Sequence, residues 1–201
     1  MTPEVEICNL ALSHIGEQAY ITSIEPPEGS VHAELCGRFY PKARDMLLES
    51  HPWGFATRTQ PLALLTETRA GWAFAYARPA DALRVLAVLP ADGSDTPRPY
   101  TVEASIGGAY PLVLTDEPDA VVRYVAHSPF PHTYPAMFSM ALSWQMAALI
   151  AGPIIKGVDG ANMVKNCLQM LQMHLAQAKA ADANQAHDRT APLPGWLEAR
   201  A

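Results

Sequence analysis

Charged residues are scarce in this sequence. Only 17% of the 201 residues are Asp, Glu, Lys or Arg, whereas 49% are hydrophobic, and the net charge is -6. A chain of this length and hydrophobicity can bury a core, which excludes an intrinsically disordered protein. Because few charges cover the surface, much apolar area is left for contacts with other chains, and the composition favours a protein that assembles.

Basic clusters, paired cysteines and long apolar runs are also missing. Without a run of Lys and Arg, this acidic chain lacks what a nucleic-acid binder uses to displace counterions from phosphates. Cys8, Cys36 and Cys167 are far apart with no CxxC pair, so neither a zinc knuckle nor a disulfide framework is expected. The longest apolar stretch, residues 146–155, is too short to cross a bilayer. We expect a soluble chain made in the cytoplasm, with no membrane contact.

Motifs for catalysis, metals and cofactors are absent as well. The seven histidines have no HxxxH, HExxH or HxH spacing, and the sequence has no GxSxG, GxGxxG or GxxxxGK[ST] motif. Asp116, Glu117 and Asp119 form a carboxylate cluster that could divide acid and base roles, but they flank Pro118 in a predicted turn, where acidic residues are usually solvated. We therefore predict no enzyme activity, no metal and no cofactor.

Two groups of potential metal ligands are better explained by packing. His14 and His174 fall on apolar helix faces and are expected to be hydrogen-bonded core residues. Six methionines at helical spacing could offer thioethers to Cu(I), but facing helices with methionines more often form an adaptable core. These are Met137, Met140, Met146, Met163, Met170 and Met173.

Hydrophobic periodicity predicts four helices. Their approximate ranges are 3–15, 30–50, 137–151 and 159–187. Thr2 and Ser30 are the predicted N-caps of the first two helices. Pro41 should kink or split the second helix, and Gly152-Pro153 should break the third. Trp53 and Phe55, which follow the second helix, are expected in the core.

The segment between the second and third helices has a different character. It is rich in tyrosine, valine and proline, and apolar alternation predicts short strands over 84–89, 100–104 and 121–125. Gly107-Gly108 separates two more strand segments. We predict a small antiparallel sheet of four or five strands.

The simplest fold is α+β, mainly α: a four-helix bundle with a small antiparallel sheet inserted between helices 2 and 3. The predicted divisions are 1–70, the first half of the bundle; 71–130, the β-rich insertion; 131–187, the second half of the bundle; and 188–201, an extended C-terminal tail. Trp196 and Leu197 on this proline-stiffened tail suit a groove on another chain, and the alternative is a tail folded back on its own bundle.

Several segments, in this order along most of the chain, resemble the head-to-tail adaptor family of short-tailed bacteriophages, also called tail tubular protein A or head-to-tail joining protein. The segments are 10–17, 40–48 (with Tyr40-Pro41, Arg44-Asp45 and Leu47-Leu48), His51-Pro52-Trp53-Gly54-Phe55-Ala56, 74–85 and Trp196-Leu197-Glu198-Ala199-Arg200.

The resemblance implies a structural virion protein of the tail or neck, present in the host cytoplasm during assembly. About twelve copies would form a ring beneath the portal protein and extend the DNA channel. The helices would form the ring, the sheet would face the tail nozzle or tail tubular protein B, and the C-terminal segment would reach the portal. The portal-binding residues carried over to this sequence are Pro194, Trp196, Leu197 and Arg200.

The charge is compatible with this role, because acidic chains around a channel would let the genomic DNA pass without specific binding. We expect a monomer in solution that orders its tail and loops only on docking. Two other functions stay open: a phage assembly chaperone that leaves the finished particle, and a small soluble enzyme or ligand-binding domain that uses the sheet as a pocket.

Overall fold

A computed structural model describes residues 3–127 and 130–185, and this part of the chain has a mixed α+β fold. The helices are α1 (Pro3–His14), α2 (Val31–Glu49), α3 (Ala136–Ile154) and α4 (Gly157–Ala183), with short 3-10 helices at Gly54–Ala56 and Pro131–Thr133. The strands are β1 (Thr57–Pro61), β2 (Ala63–Leu64), β3 (Phe74–Ala77), β4 (Ala82–Leu89), β5 (Tyr100–Ala104), β6 (Pro111–Thr115) and β7 (Val121–Ala126).

The helix α3 lies at the centre of the helical region. It packs against α4, α1 and α2, and side chains from all four helices share one core. Phe138, Met146 and Ile150 of α3 are among the largest fully buried side chains. Trp53 is also fully buried and Phe55 packs against the same core, so the prediction for these two aromatic residues is confirmed.

By length and composition, α3 is the one helix within the described ranges that could cross a membrane. Its apolar window has a mean hydropathy of 1.4, and 56% of that window is buried inside the fold. A central helix surrounded by other helices is apolar on most sides. The position of α3 therefore accounts for its composition.

Pro41 does not split its helix, although a kink or a split was predicted, and the predicted break at Gly152-Pro153 was wrong. The helix α2 continues through Pro41 without a split, and α3 continues through Gly152 and Pro153 to end at Ile154. A proline inside a helix costs about 3 kcal/mol because it removes one backbone hydrogen bond and crowds the preceding turn. In α2, buried residues on both sides of Pro41, including Cys36 and Leu47, keep the helix continuous because they pack into the shared core.

The strands form two antiparallel sheets where the sequence predicted one. The strand order is β1-β7-β4 in the first and β2-β3-β6-β5 in the second. The predictions for β4, β5 and β7 were close, whereas β1 and β2 were missed, so strands begin at Thr57, before the predicted β-rich region. The residues of β1 are largely exposed and polar, and an exposed edge strand has no apolar alternation to reveal it.

The molecule is layered. Val125 of β7 belongs to the helical core, and Leu83 and Leu86 of β4 pack against that core, which places the three-stranded sheet against the helices. The two sheets share a second core that includes Tyr76 and Tyr124. A third, smaller cluster contains Ala75, Leu112 and Leu114, with Leu65 and Trp72 packed against it.

Candidate functional site: the groove between the first two helices

A groove runs between the start of α1, the loop over residues 20–30 and α2. Its volume is about 860 Å³. The helices α1 and α2 both pack on α3 and make few contacts with each other, and the groove is lined by the first turn of α1, by the loop and by residues 34–44 of α2. The charged and polar side chains along it include Glu4, Glu25, Glu34, Arg38, Tyr40 and Arg44.

The 20–30 loop forms one wall of this groove and is held by side-chain hydrogen bonds. The amide of Asn9 on α1 donates to Ile21 O and accepts from Ile21 N, both at 2.9 Å. Glu28 accepts from the backbone and the hydroxyl of Thr22, and these bonds lower the pKa of Glu28. Ser30 caps α2 as predicted, since its hydroxyl accepts from Ala33 N at 3.1 Å. The loop is therefore a fixed wall.

Gly37 allows this wall to lie close to α2. A Cβ atom at residue 37 would come within 2.9 Å of Ile24 O, which real Cβ atoms do not tolerate. Glycine inside a helix lowers helix stability, so its presence in α2 has a packing reason. Gly37 was not singled out in the sequence, although a glycine in the middle of an amphipathic helix is a signal that could have been used.

Arg44, which lines the groove, belongs to a polar network that connects α2 to the strands. Arg44 is buried, with 8% of its surface exposed, and its Nε donates to Asp45 Oδ1 at 2.9 Å. His127, just after β7, lies with Nε2 3.0 Å from Arg44 Nη2 and with Nδ1 3.2 Å from Asp45 Oδ1. Arg44 Nη2 also lies 3.3 Å from His127 Nδ1, so the imidazole bridges the guanidinium and the carboxylate. The network stabilises the junction of the helices and the sheet.

Two tyrosines lie beside this network. Burial is the main reason that the pKa of Tyr40 is raised well above its usual value. Burial also raises the pKa of Tyr134 to about 12, against the opposing effect of Arg44. Both phenols therefore stay protonated at neutral pH and offer hydrogen bonds rather than charge.

The rim of the groove carries carboxylates that have no basic partner. Arg44 is paired with Asp45, but no ion pair within the described ranges reaches Glu4, Glu25 or Glu34. Glu25 and Glu34 are exposed and Glu4 is half-buried. Arg38 also lines the groove, is exposed and has no ion pair within the same ranges, so these three carboxylates outnumber it and the groove favours a partner that presents a positive charge beside apolar surface.

A second unusual surface is the outer side of α4, which has few charges and no described partner. Of the 27 residues of α4, four are Asp or Lys: Asp159, Lys165, Lys179 and Asp182. Exposed residues recur at spacings of three and four along one stripe, which we call the α4 seam. The seam consists of Val158, Ala161, Lys165, Leu168 and Gln172. Val158 is 77% exposed and Leu168 is 44% exposed. This spacing suits contact with another helix.

The other end of α4 is tied to the segment that follows α2. Asp182 accepts a hydrogen bond from Gly54 N at 3.1 Å and lies 3.2 Å from His51 Nε2. A small cavity of about 210 Å³ lies beside this contact, lined by residues that include Trp53 and Phe138. The indole N–H of Trp53 donates to Leu47 O at 2.9 Å, so the polar edge of this aromatic residue is satisfied.

The predicted portal-binding residues Pro194, Trp196, Leu197 and Arg200 lie outside the described residues, as do the whole 188–201 tail, the predicted N-cap Thr2 and the last part of the predicted fourth helix, 186–187. The other predicted groups can be placed. Cys8, Cys36 and Cys167 are free thiols and fully buried, as expected for small core residues.

The carboxylate cluster of the β6–β7 turn has structural partners. Asp116 accepts from Ala73 N at 2.8 Å, and Glu117 lies 3.0 Å from Arg98 Nε. Asp119 adopts a left-handed backbone conformation with φ of 49°. The first two side chains therefore hold the turn, whereas the sequence had indicated only solvated side chains.

The histidine predictions were correct for one residue and wrong for the other. His14 Nε2 lies 2.9 Å from the Ser143 hydroxyl, and its ring stacks on Trp144 with centroids 3.6 Å apart. Burial and the neighbouring His174 lower the pKa of His14 to about 4. The ring of His174 is parallel to that of Trp144, with centroids 6.1 Å apart, and its buried Nδ1 has no hydrogen-bond partner within the described ranges. Neither ring is fully buried.

The predicted packing of the methionines is likewise correct for some residues and wrong for others. Met146 is fully buried and Met163 packs against the helical core, as predicted. Met137 and Met173 are each 46% exposed, so the packing prediction was wrong for these two. Within residues 3–127 and 130–185, no three His, Cys, Asp or Glu side chains are grouped in a way that could hold a metal ion.

The sequence was also compared with known proteins. No protein-family model matches the chain, and no curated protein is similar enough to count as a relative.

Proposed function

We propose that this chain is a head-to-tail adaptor of a short-tailed bacteriophage. In this role, copies of the chain form a ring between the portal protein and the tail nozzle. The four helices act as a bundle with the strands inserted between α2 and α3, the helical layers make the ring, and the strand layers face the tail. The protein would act through assembly and would carry out no reaction.

The observation that supports this proposal best is the α4 seam. A long helix at the surface of a monomeric protein normally has its charged residues on the side away from the core. The seam instead combines exposed apolar residues with a single charge, Lys165, and interfaces between chains are depleted in charge in the same way. Together with the order of the segments that resemble the adaptor family, this favours a protein that works next to copies of itself.

The direct test is to mix the purified chain with the portal protein encoded by the same genome. Size-exclusion chromatography and negative-stain imaging should give a ring that lengthens the portal only in the mixture. A chain that stays monomeric and ignores the portal would contradict the adaptor role. Presence in purified virions, at about the copy number of the portal, separates an adaptor from an assembly chaperone.

The groove between α1 and α2 supports a second candidate function, a ligand-binding domain. Its volume of about 860 Å³ is in the range of small-molecule sites. The groove lies in the helical region, whereas the alternative function left open by the sequence would use the sheet as a pocket. Thermal-shift screening of the monomer with a metabolite library tests this function. A stabilising ligand whose effect is lost in Glu34→Ala or Arg38→Ala would favour it over the adaptor.

A further inference from the structure

We propose that the groove between α1 and α2 receives the α4 seam of a second copy of this chain. The proposal rests on the proposed function, because it names the two surfaces that would meet between neighbours in the ring. The contact would be heterologous, since each copy would offer its groove to one neighbour and its seam to the other. Contacts of this kind close into a ring when the rotation between copies allows it.

The first argument is the shape of the two surfaces. The groove is lined by the first turn of α1, by the 20–30 loop and by residues 34–44 of α2, and a further helix could lie along α2 in this groove. The seam runs from Val158 to Gln172, which corresponds to about 21 Å of helix at 1.5 Å per residue. This length is exposed along the whole stripe.

The second argument is charge. Lys165 is the only charged residue in the seam and has no ion pair within the described ranges. The groove offers Glu25 and Glu34, which are exposed and have no ion pair among the described residues, beside one exposed cation, Arg38. A lysine on one copy and two carboxylates on its neighbour are complementary, and such pairs fix the register and the choice of partner more than they add affinity.

The third argument is the chemistry of the remaining residues. Val158 and Leu168 need an apolar surface, and the groove provides Ile24, Pro27 and Pro41 along its wall and along α2. The wall is already held by the hydrogen bonds of Asn9 and Glu28, so little backbone entropy is lost when a helix docks there. A preformed groove of this kind suits repeated docking of identical copies.

Charge reversal tests the contact. Lys165→Glu and Glu34→Lys should each weaken ring formation on the portal by about tenfold or more, and the double variant should restore most of it. Asn166→Glu is the control for the helix, because residue 166 is exposed on α4 but lies about 100° around the helix from Lys165. It should form rings as the wild type does. Single variants that assemble normally, or a double variant that is not rescued, would overturn the proposal.

A second measurement separates this proposal from the adaptor role. A carbodiimide joins lysines to carboxylates that are in contact, and an equal mixture of ¹⁵N-labelled and unlabelled chains identifies links between two copies by mass spectrometry. At high protein concentration without portal, we expect intermolecular links from Lys165 to Glu25 or Glu34. If such links form but the chain does not bind the portal, the contact between groove and seam is supported and the adaptor role is contradicted. If rings form on the portal but Glu25 and Glu34 are linked to other lysines or to none, the adaptor role is supported and the proposed contact is overturned.

Discussion

The helical region and the strand region of this protein are stabilised in different ways. The helices share one large core that contains Trp53 and Phe138, whose rings meet edge to face with centroids 5.0 Å apart. The strands have two smaller cores, and their surface carries ion pairs such as Arg123–Asp95 at 2.6 Å. Because burial of a large side chain contributes far more than an exposed ion pair, we expect the helices to provide most of the stability.

The largest effect is expected when a buried aromatic residue is removed from the helical region. Trp53 is 1% exposed and hydrogen-bonded to Leu47, so Trp53→Ala should lower the free energy of unfolding by about 3–5 kcal/mol. Trp72→Ala is the same substitution in the strand region, and Trp72 is only half-buried. Urea unfolding followed by circular dichroism should give a clearly smaller loss for Trp72. Equal losses would contradict the difference between the two regions.

A smaller effect is expected from one added methyl group in a helix. Gly37→Ala places Cβ 2.9 Å from Ile24 O, and the shift that this forces should cost about 1–3 kcal/mol. Gly152→Ala is the control, because its Cβ would meet Val164 Cγ2 at an ordinary 3.9 Å. Alanine favours a helix more than glycine does, but Pro153 disfavours helical backbone at the residue before it. The two effects oppose each other, so the free energy of unfolding should change by no more than about 0.5 kcal/mol. Thermal unfolding of both variants measures the difference, and a neutral Gly37→Ala would contradict the close approach.

Acid should weaken the helical region through His14. Its pKa is about 4 in the folded chain and about 6.5 when unfolded, so between these values the unfolded state binds more protons. The free energy of unfolding should therefore fall as the pH decreases from 6.5 to 4. In His14→Gln, the free energy of unfolding should depend less steeply on pH over this range, because the contribution of His14 is missing. The other groups titrate in both proteins and so cancel in the comparison. An unchanged slope would rule out His14 as the cause.

The smallest effect is expected from the ion pair Arg123–Asp95 on the strand surface. Asp95 is 56% exposed at its side chain, so Asp95→Asn should change the free energy of unfolding by about 0–1 kcal/mol. The difference between wild type and variant should shrink further in 0.5 M NaCl, because salt screens exposed charges. Chemical unfolding at two salt concentrations measures this. A loss as large as that of Gly37→Ala would show that the strand region depends on its ion pairs.

Much of the helical region could be predicted from the sequence, because local signals agreed with the final packing. The first helix and the capping of the second by Ser30 follow from residue patterns within a few positions. The behaviour of Pro41 could not be predicted in this way. Its cost is local, but the packing of α2 on both sides of it comes from residues distant in sequence.

The strand region was less predictable for a related reason. Its division into two sheets depends on which strands pair, and β7 pairs with β1 and β4, which lie far from it in the sequence. The groove was not predicted either. It depends on how the 20–30 loop folds against α1 and α2, and no short sequence pattern encodes that arrangement.

The contact of Asp182 with Gly54 and His51 also has a mechanical consequence. This carboxylate ties the last turn of α4 to the segment where α2 ends and the strands begin. A tensile force applied at the C-terminal end of α4 would be shared with that segment and with the buried Trp53 beside it. The end of α4 would therefore resist being peeled from α3 turn by turn, and the helices and strands would bear the load together.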